Sequence, residues 1–139
     1  MDLAELRKVF LAAPFVADLG LELESIGNGE CLTTLQIASR HLQQNDLIHA
    51  GVQTTMADHT AGAAASTQAP AGSYVVTAEI KVSFLRAAKG ERLVCRARVL
   101  KPGRQFSFVE AEVSCVSGGN EQLVAKASAT MAIVTPAAK

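Results

Sequence analysis

The sequence predicts an α+β domain in which one strongly curved antiparallel sheet wraps a single long helix. Three observations predict it. The stretch HAGVQTTMADHTAGAAAS, His49 to Ser66, is built almost wholly from small helix-favouring residues, and no proline interrupts it before Pro70. On either side of it, apolar residues recur at every second position in runs punctuated by Gly, Pro and Asn. With five Phe, one Tyr and no Trp, the core rests on Val, Leu, Ile and Ala, and small side chains at Ala63, Ala64 and Ala65 let a sheet close tightly on the helix.

Taken in order, Asp2 caps a short first helix within residues 1–14, with Leu3, Leu6, Val9 and Phe10 on one face and Pro14 as its stop. After PFVADLG, the segment LELESIGNGECLTTLQIA reads as two strands joined by a turn at Gly27 to Gly29. SRHLQQNDLI is polar and aperiodic, a loop that delivers the chain to the long helix. Beyond Gly72 the period becomes two. YVVTAEIKVSFLR is one long strand, and RLVCRARV turns Leu93, Cys95, Ala97 and Val99 away from Arg92, Arg96 and Arg98. QFSFVEAEVSCV sets Phe106, Phe108, Glu110 and Glu112 against Ser107, Val109, Ala111, Val113 and Cys115. QLVAKASATMAIV puts Leu123, Ala125, Ala127, Ala129, Met131 and Ile133 on one face. Turns at Lys89-Gly90, Pro102-Gly103 and Gly118-Gly119-Asn120 make the last four strands an antiparallel meander. Residues 136–139 read as a loose tail.

Length and charge bound the function. A chain of 139 residues is one domain with room for a real core. Thirteen Lys and Arg balance thirteen Asp and Glu, which argues against a general nucleic-acid binder. The balance is uneven along the chain: residues 1–58 hold eight acids and three bases, whereas Arg86 to Arg104 hold seven bases and one acid. That band is either a solvated strand face or a seat for a small polyanion. Cys31, Cys95 and Cys115 lack a CxxC spacing and are expected as buried free thiols, with no metal site among the scattered His and Cys. The acidic start carries no signal-peptide pattern and no run has membrane-spanning length, so a cytoplasmic protein without membrane partners is expected.

The chemistry is expected on the long helix. Gly51, Thr55, Asp58, Gly62 and Ser66 form one stripe of small residues, beside an apolar stripe of Val52, Met56 and Ala63. A carboxylate in such a stripe has little to neutralise it. The bland alternative is a structural Asp58 paired with a base.

The order of elements, and above all NDLIHAGVQTTMADHTAGAAA followed by VTAEIKVSFLRAAKGE, resembles the hotdog-fold acyl-CoA thioesterases of the PaaI-like, phenylacetate-pathway type. The resemblance spans roughly residues 15–134. It rests on a His-Gly-Gly-like turn at the helix start, an Asp nine residues after the His, and the strand end Phe84-Leu85-Arg86. It implies hydrolysis of an acyl-CoA thioester by a homodimer whose sheets join edge to edge, often paired again into a homotetramer. Coenzyme A is then part of the substrate, and no further cofactor is implied. Residue by residue, Asp58 matches the catalytic carboxylate, His49 the His of the turn and Ala50 the residue whose N–H polarises the carbonyl. Gly51 matches the second glycine, and Thr77 a Ser/Thr that helps place water or carboxylate. Ala50 departs from the usual glycine. The polar partner on the preceding loop is either Gln43 or Asn45.

Those residues suit the chemistry. A helix N-terminus offers unpaired N–H groups and partial positive charge to an oxyanion, and a carboxylate acts as general base or as nucleophile. Nine residues of helix separate His49 from Asp58 by about 13–14 Å and half a turn, too far to meet at one carbonyl. Two antiparallel helices across a two-fold axis solve this, each start lying beside the other's middle. His49 serves equally well as a cap. His59 points about 100° away from Asp58 and is expected to pack or to lie at an interface. His41 reads as incidental, and Thr77 stands on a strand where Thr is common in any case. Arg86 and Lys89 are placed to meet coenzyme A phosphates. The dehydratases and hydratases of the same fold need a second acid or His where this chain has Ala63. The alternative from another class is a non-catalytic acyl-CoA binding or sensing module.

Overall fold

The computed structural model describes residues 2–137; of the expected loose tail, residues 138 and 139 lie outside them. The chain forms helix α1 (Leu3–Ala12), helix α2 (Pro14–Leu19), strands β1 (Leu21–Gly27) and β2 (Glu30–Gln36), and the long helix α3 (Ala50–Ser66). Strands β3 (Tyr74–Phe84), β4 (Arg92–Lys101), β5 (Phe106–Ser117) and β6 (Asn120–Val134) follow. The six strands make one antiparallel sheet in the order β1-β2-β4-β5-β6-β3, curved around α3. This is the hotdog arrangement expected from the sequence.

Local chemistry accounts for the ends of the elements. At α1, Asp2 and Glu5 cap each other: the Glu5 N–H donates to Asp2 Oδ1 at 2.8 Å and the Asp2 N–H to Glu5 Oε2 at 3.3 Å. Pro14 ends α1 as expected and also begins a second helix, α2. Proline suits a first helical turn, where its missing N–H costs nothing. The β1–β2 hairpin turns on Asn28 and Gly29, both at positive φ (54° and 78°), the twist that favours Asn-Gly in a two-residue turn.

The core lies between α3 and the concave face of the sheet. Met56, Ala57, Ala61, Ala64 and Ala65 on α3 are fully buried against Leu35, Leu93, Cys95, Val113, Ala125 and Met131. Alanine on the helix brings backbone and sheet close, and the area removed from water is worth about 25 cal/mol per Å². Thr33 and Thr60 face each other across this interface with hydroxyl oxygens 2.8 Å apart, so neither buried group lacks a partner. Burial pushes the thiols of Cys31 and Cys95 up to about 12, which makes them inert packing groups, as their isolated spacing suggested.

Register shifts interrupt four of the five strand pairings among the described residues, those of β3 and β6 among them. In β3, Thr77 pairs with Met131 but Glu79 with Thr130, so Ala78 is an extra residue in a bulge. In β6 a shift between Val113/Ala125 and Ser114/Leu123 turns Val124 inward, and Val124 rather than Leu123 is fully buried. The convex face is charged. Arg98 binds Glu110 at 2.7 Å, Arg96 binds Glu121 at 3.0 Å, and Lys126 reaches Glu112 at 3.3 Å. Of the seven bases between Arg86 and Arg104, Arg96 and Arg98 are cross-paired on this solvated strand face. The Arg98 guanidinium beside Glu110 holds its carboxyl below the usual range.

The loop before α3 is more ordered than its composition suggests. It carries a 3₁₀ turn at Ser39–His41 and a bridge between Leu42 and Ile48. His41, which reads as incidental in the sequence, is buried: its Nδ1 accepts the Ala38 N–H at 2.9 Å and its Nε2 donates to the Leu19 carbonyl at 2.7 Å. Its own carbonyl accepts the His49 N–H, so His41 ties α2 to the start of α3. Replacing it with Phe leaves the Ala38 N–H without its acceptor, while the Leu19 carbonyl keeps the Arg40 Nη2 at 3.2 Å. His41→Phe is expected to lower unfolding stability by about 1 kcal/mol in a urea titration; a loss within error would mean that the loop is held by other contacts.

Candidate active site

The start of α3 has one unused donor. His49 is the N-cap, in extended geometry (φ −60°, ψ 137°), and its Nδ1 accepts the Gly51 N–H at 2.8 Å. The Val52 N–H bonds the His49 carbonyl at 3.0 Å, and the Gln53 N–H reaches the same oxygen at 3.5 Å. Among the described residues no acceptor takes the Ala50 N–H. Of the two donors proposed for an oxyanion, Gly51 is engaged and Ala50 is free. His49 acts here as a cap.

Asp58 sits half-buried in the middle of α3. Its hydrogen-bond partner is the Thr77 hydroxyl, which donates to Oδ1 at 2.6 Å. Among the described residues no Lys, Arg or His forms an ion pair with it, so the structural alternative of a base-paired helix carboxylate has no partner. The Ala78 bulge places Thr77. It lets Val75 and Thr77 face α3 while Ile80 and Val82, which follow the extra residue, face inward as well. The phase jump in VVTAEIKV was the available sequence signal, because the apolar positions change from odd to even across Ala78-Glu79. The hydroxyls of Thr55 and Ser66 in the stripe are bound back to the carbonyls of Gly51 and Gly62, both at 2.8 Å.

These groups open into separate clefts. Asp58 and Thr77 share one of about 170 Å³ with Phe10 of α1, His59, Gly62 and Val75. Ala50 lies in another, of about 330 Å³, with Gln43, Gln53 and the β3 end at Phe84, Leu85 and Arg86. Of the two loop candidates, Gln43 lines this cleft. Asn45 is exposed outside it, its N–H donating to the Gln43 side chain. Arg86 is exposed at the cleft with its Nη1 on the Leu123 carbonyl at 3.0 Å, whereas Lys89 lines a different depression with Ser117, Asn120 and Gln122. His59 bonds the Phe10 carbonyl at 3.1 Å and packs on its ring, centroids 4.4 Å apart, so it joins α1 to α3. Among the described residues no group of three or more His, Cys, Asp or Glu is placed to hold a metal, and no helix is long and apolar enough to cross a membrane.

Residues 45–121 match the family model of the thioesterase superfamily. The structure is similar to that of a thioesterase family protein from Silicibacter pomeroyi, with 31% identity, 95% of this chain and 97% of that chain covered, and a TM-score of 0.93. A conserved protein from Pseudomonas aeruginosa is also 31% identical, with 91% and 98% of the two chains covered and a TM-score of 0.82. A mutant of the phenylacetic acid degradation protein PaaI from Thermus thermophilus is 26% identical, with 86% and 98% covered and a TM-score of 0.75. No curated protein matches the chain by sequence.

The cap can be tested by itself. His49→Ala is expected to cost about 1 kcal/mol of unfolding stability, and His49→Asn, which restores an acceptor to the Gly51 N–H, far less. Equal losses in chemical denaturation would show that the ring acts by packing instead.

Proposed function

The chain belongs to the thioesterase superfamily and is a thioester hydrolase, and we propose that it cleaves acyl-CoA thioesters to free acid and CoA in sites shared by two subunits of a homodimer. One observation carries this reading. The carboxylate and the free N–H lie in different clefts, at opposite ends of the same strand, and that strand has an open edge. Val75 and Thr77, near the start of β3, line the Asp58 cleft; Phe84, at its end, lines the Ala50 cleft. Among the described residues only β6 pairs with β3, whose other side is the edge of the sheet.

Pairing two β3 strands antiparallel about a two-fold axis sets the start of each beside the end of the other. Each Asp58 cleft then abuts the partner's Ala50 cleft. The thioester carbonyl oxygen accepts the Ala50 N–H, where the partial positive charge of the helix start stabilises it as it becomes an oxyanion. Asp58 of the other subunit, oriented by Thr77, either takes a proton from the attacking water or attacks the carbonyl carbon itself. Arg86 and Gln43 flank the carbonyl site on the side from which the CoA arm leaves. The exposed Phe106, Phe108 and Leu100 on the convex face suit contact between two such dimers.

Thiol release from an acyl-CoA panel tests the reading. Asp58→Asn is expected to lower kcat by at least about a thousandfold in a folded dimer. Ala50→Pro deletes the N–H at a position where proline is tolerated, since His49 already has the extended geometry that precedes proline. That variant should lose about a hundredfold to a thousandfold. Thr77→Val should fall about tenfold and Thr77→Ser far less. Intact acyl-CoA bound but never cleaved by wild type would return the sensing reading, and full activity in Asp58→Asn would remove Asp58 from the site.

A further inference from the structure

Resting on the shared-site reading above, we propose that Gln53 is a specificity residue of the Ala50 cleft, its side-chain carbonyl accepting an amide N–H from the arm of the leaving thiol. Glutamine is unusual where it stands. Gln53, Ala57, Ala61 and Ala64 follow one another at helical spacing along the face of α3 that packs on the sheet, and all four are buried. Gln53 is only 4% exposed, yet it lines the cleft beside Ala50. Packing at such a position favours an apolar residue.

The Gln53 amide is half satisfied. Its Nε2 donates to the Ile48 carbonyl at 3.4 Å, and its Oε1 has no partner among the described residues. A buried acceptor left unpaired costs stability. Gln43, the other amide of this cleft, differs, because its Oε1 already takes the Asn45 N–H. Ser107 Oγ is also buried without a partner, but it lines neither the Ala50 cleft nor the Asp58 cleft. Gln53 Oε1 is therefore an open acceptor beside the open donor of Ala50.

The chemistry of the occupant follows from this pairing. Leu47, Ile48, Phe84, Leu85 and Ala88 make the rest of the wall largely apolar. An apolar wall with one unpaired acceptor suits a chain that is mostly methylene and carries an N–H. The thiol arm of coenzyme A is such a chain, with its first amide two methylenes from the sulfur. An acyl chain or an aromatic ring has no N–H to offer. The spacing agrees: Gln53 is three residues beyond Ala50, about 4.5 Å along the helix and on the same side. A thioester whose carbonyl oxygen accepts the Ala50 N–H, with its arm running along this cleft, brings that amide to Gln53. The terminal torsion of glutamine is broad, and the 3.4 Å bond to Ile48 is long, so Oε1 can turn to meet the N–H.

The test uses two hexanoyl thioesters. One is that of N-acetylcysteamine, which carries the amide two methylenes from sulfur; the other is its isostere with a methylene in place of the N–H. Wild type should favour the amide about tenfold or more in kcat/KM. Gln53→Met keeps the length of the side chain and removes its amide, and there the ratio should fall to about one. Gln53→Leu is the second apolar variant, should the first fail to fold. Gln53→Glu keeps an acceptor while losing the donor to Ile48, and should keep the preference. A role confined to holding the Ile48 carbonyl would lower both thioesters by one common factor in every variant. That result, or a wild type without preference, would overturn the proposal. Turnover of neither thioester would count against the cleavage reading alone. The affinities of the matching ketones, in which a methylene replaces the thioester sulfur, would then decide: tighter binding of the amide form, lost in Gln53→Met, supports the role of Gln53, and equal binding ends it.

Discussion

The rise of the α-helix sets the organisation of this protein. Ala50 and Asp58 stand eight residues apart on one straight helix, about 12 Å along its axis. A thioester carbonyl is a single small target, and no side-chain rotation in one chain brings a backbone N–H at the first helical position to a carboxylate that far away. The remaining features are consistent with a second subunit completing the site. The Ala50 N–H and Asp58 open into different clefts, those clefts lie at the two ends of β3, and among the described residues β3 is unpaired along one edge.

The small-residue composition of α3 does two jobs at once. Toward the sheet, Ala57, Ala61, Ala64 and Ala65, with Met56 among them, let six strands close around the helix. On the next face, Asp58 and Gly62 leave an open slot under α1. A bulky residue on either face would lose one of these, by prising the sheet away or by filling the slot. The helix is long enough to reach both the Ala50 and the Asp58 clefts, and its weak amphipathicity reflects contact on almost every side.

Much of this was legible in the sequence. The alternating runs gave six strands because each buries one face only, and the alanine-rich stretch gave one central helix because nothing in it breaks a helix. Asp58 stood out as a carboxylate without a neighbouring base, and in the structure its partner is the neutral Thr77 hydroxyl. What was not legible came from contacts distant in the chain. His41 looked like a loop residue because its partners, Ala38 and Leu19, are backbone groups that carry no side-chain signal. The engagement of the Gly51 N–H by His49 depends on a ring orientation that spacing does not specify. Lys89 and Arg86 are three residues apart, yet the chain turns between them and they line different depressions. The bulge at Ala78 left a phase change in the apolar pattern, and a strict period-two reading of β3 passes over it.

The most direct measurement of the central claim is subunit complementation. Asp58→Asn and Ala50→Pro, each nearly inactive alone, are unfolded together, refolded as a mixture and assayed for thiol release. Random pairing makes half of the dimers mixed, and each mixed dimer carries one site with both defects and one with neither. Activity is therefore expected to return to about a quarter of the wild-type value. If each subunit held a complete site, no pairing could restore an intact one. A mixture as inactive as its components, with mixed dimers demonstrated by native mass spectrometry, would contradict the account.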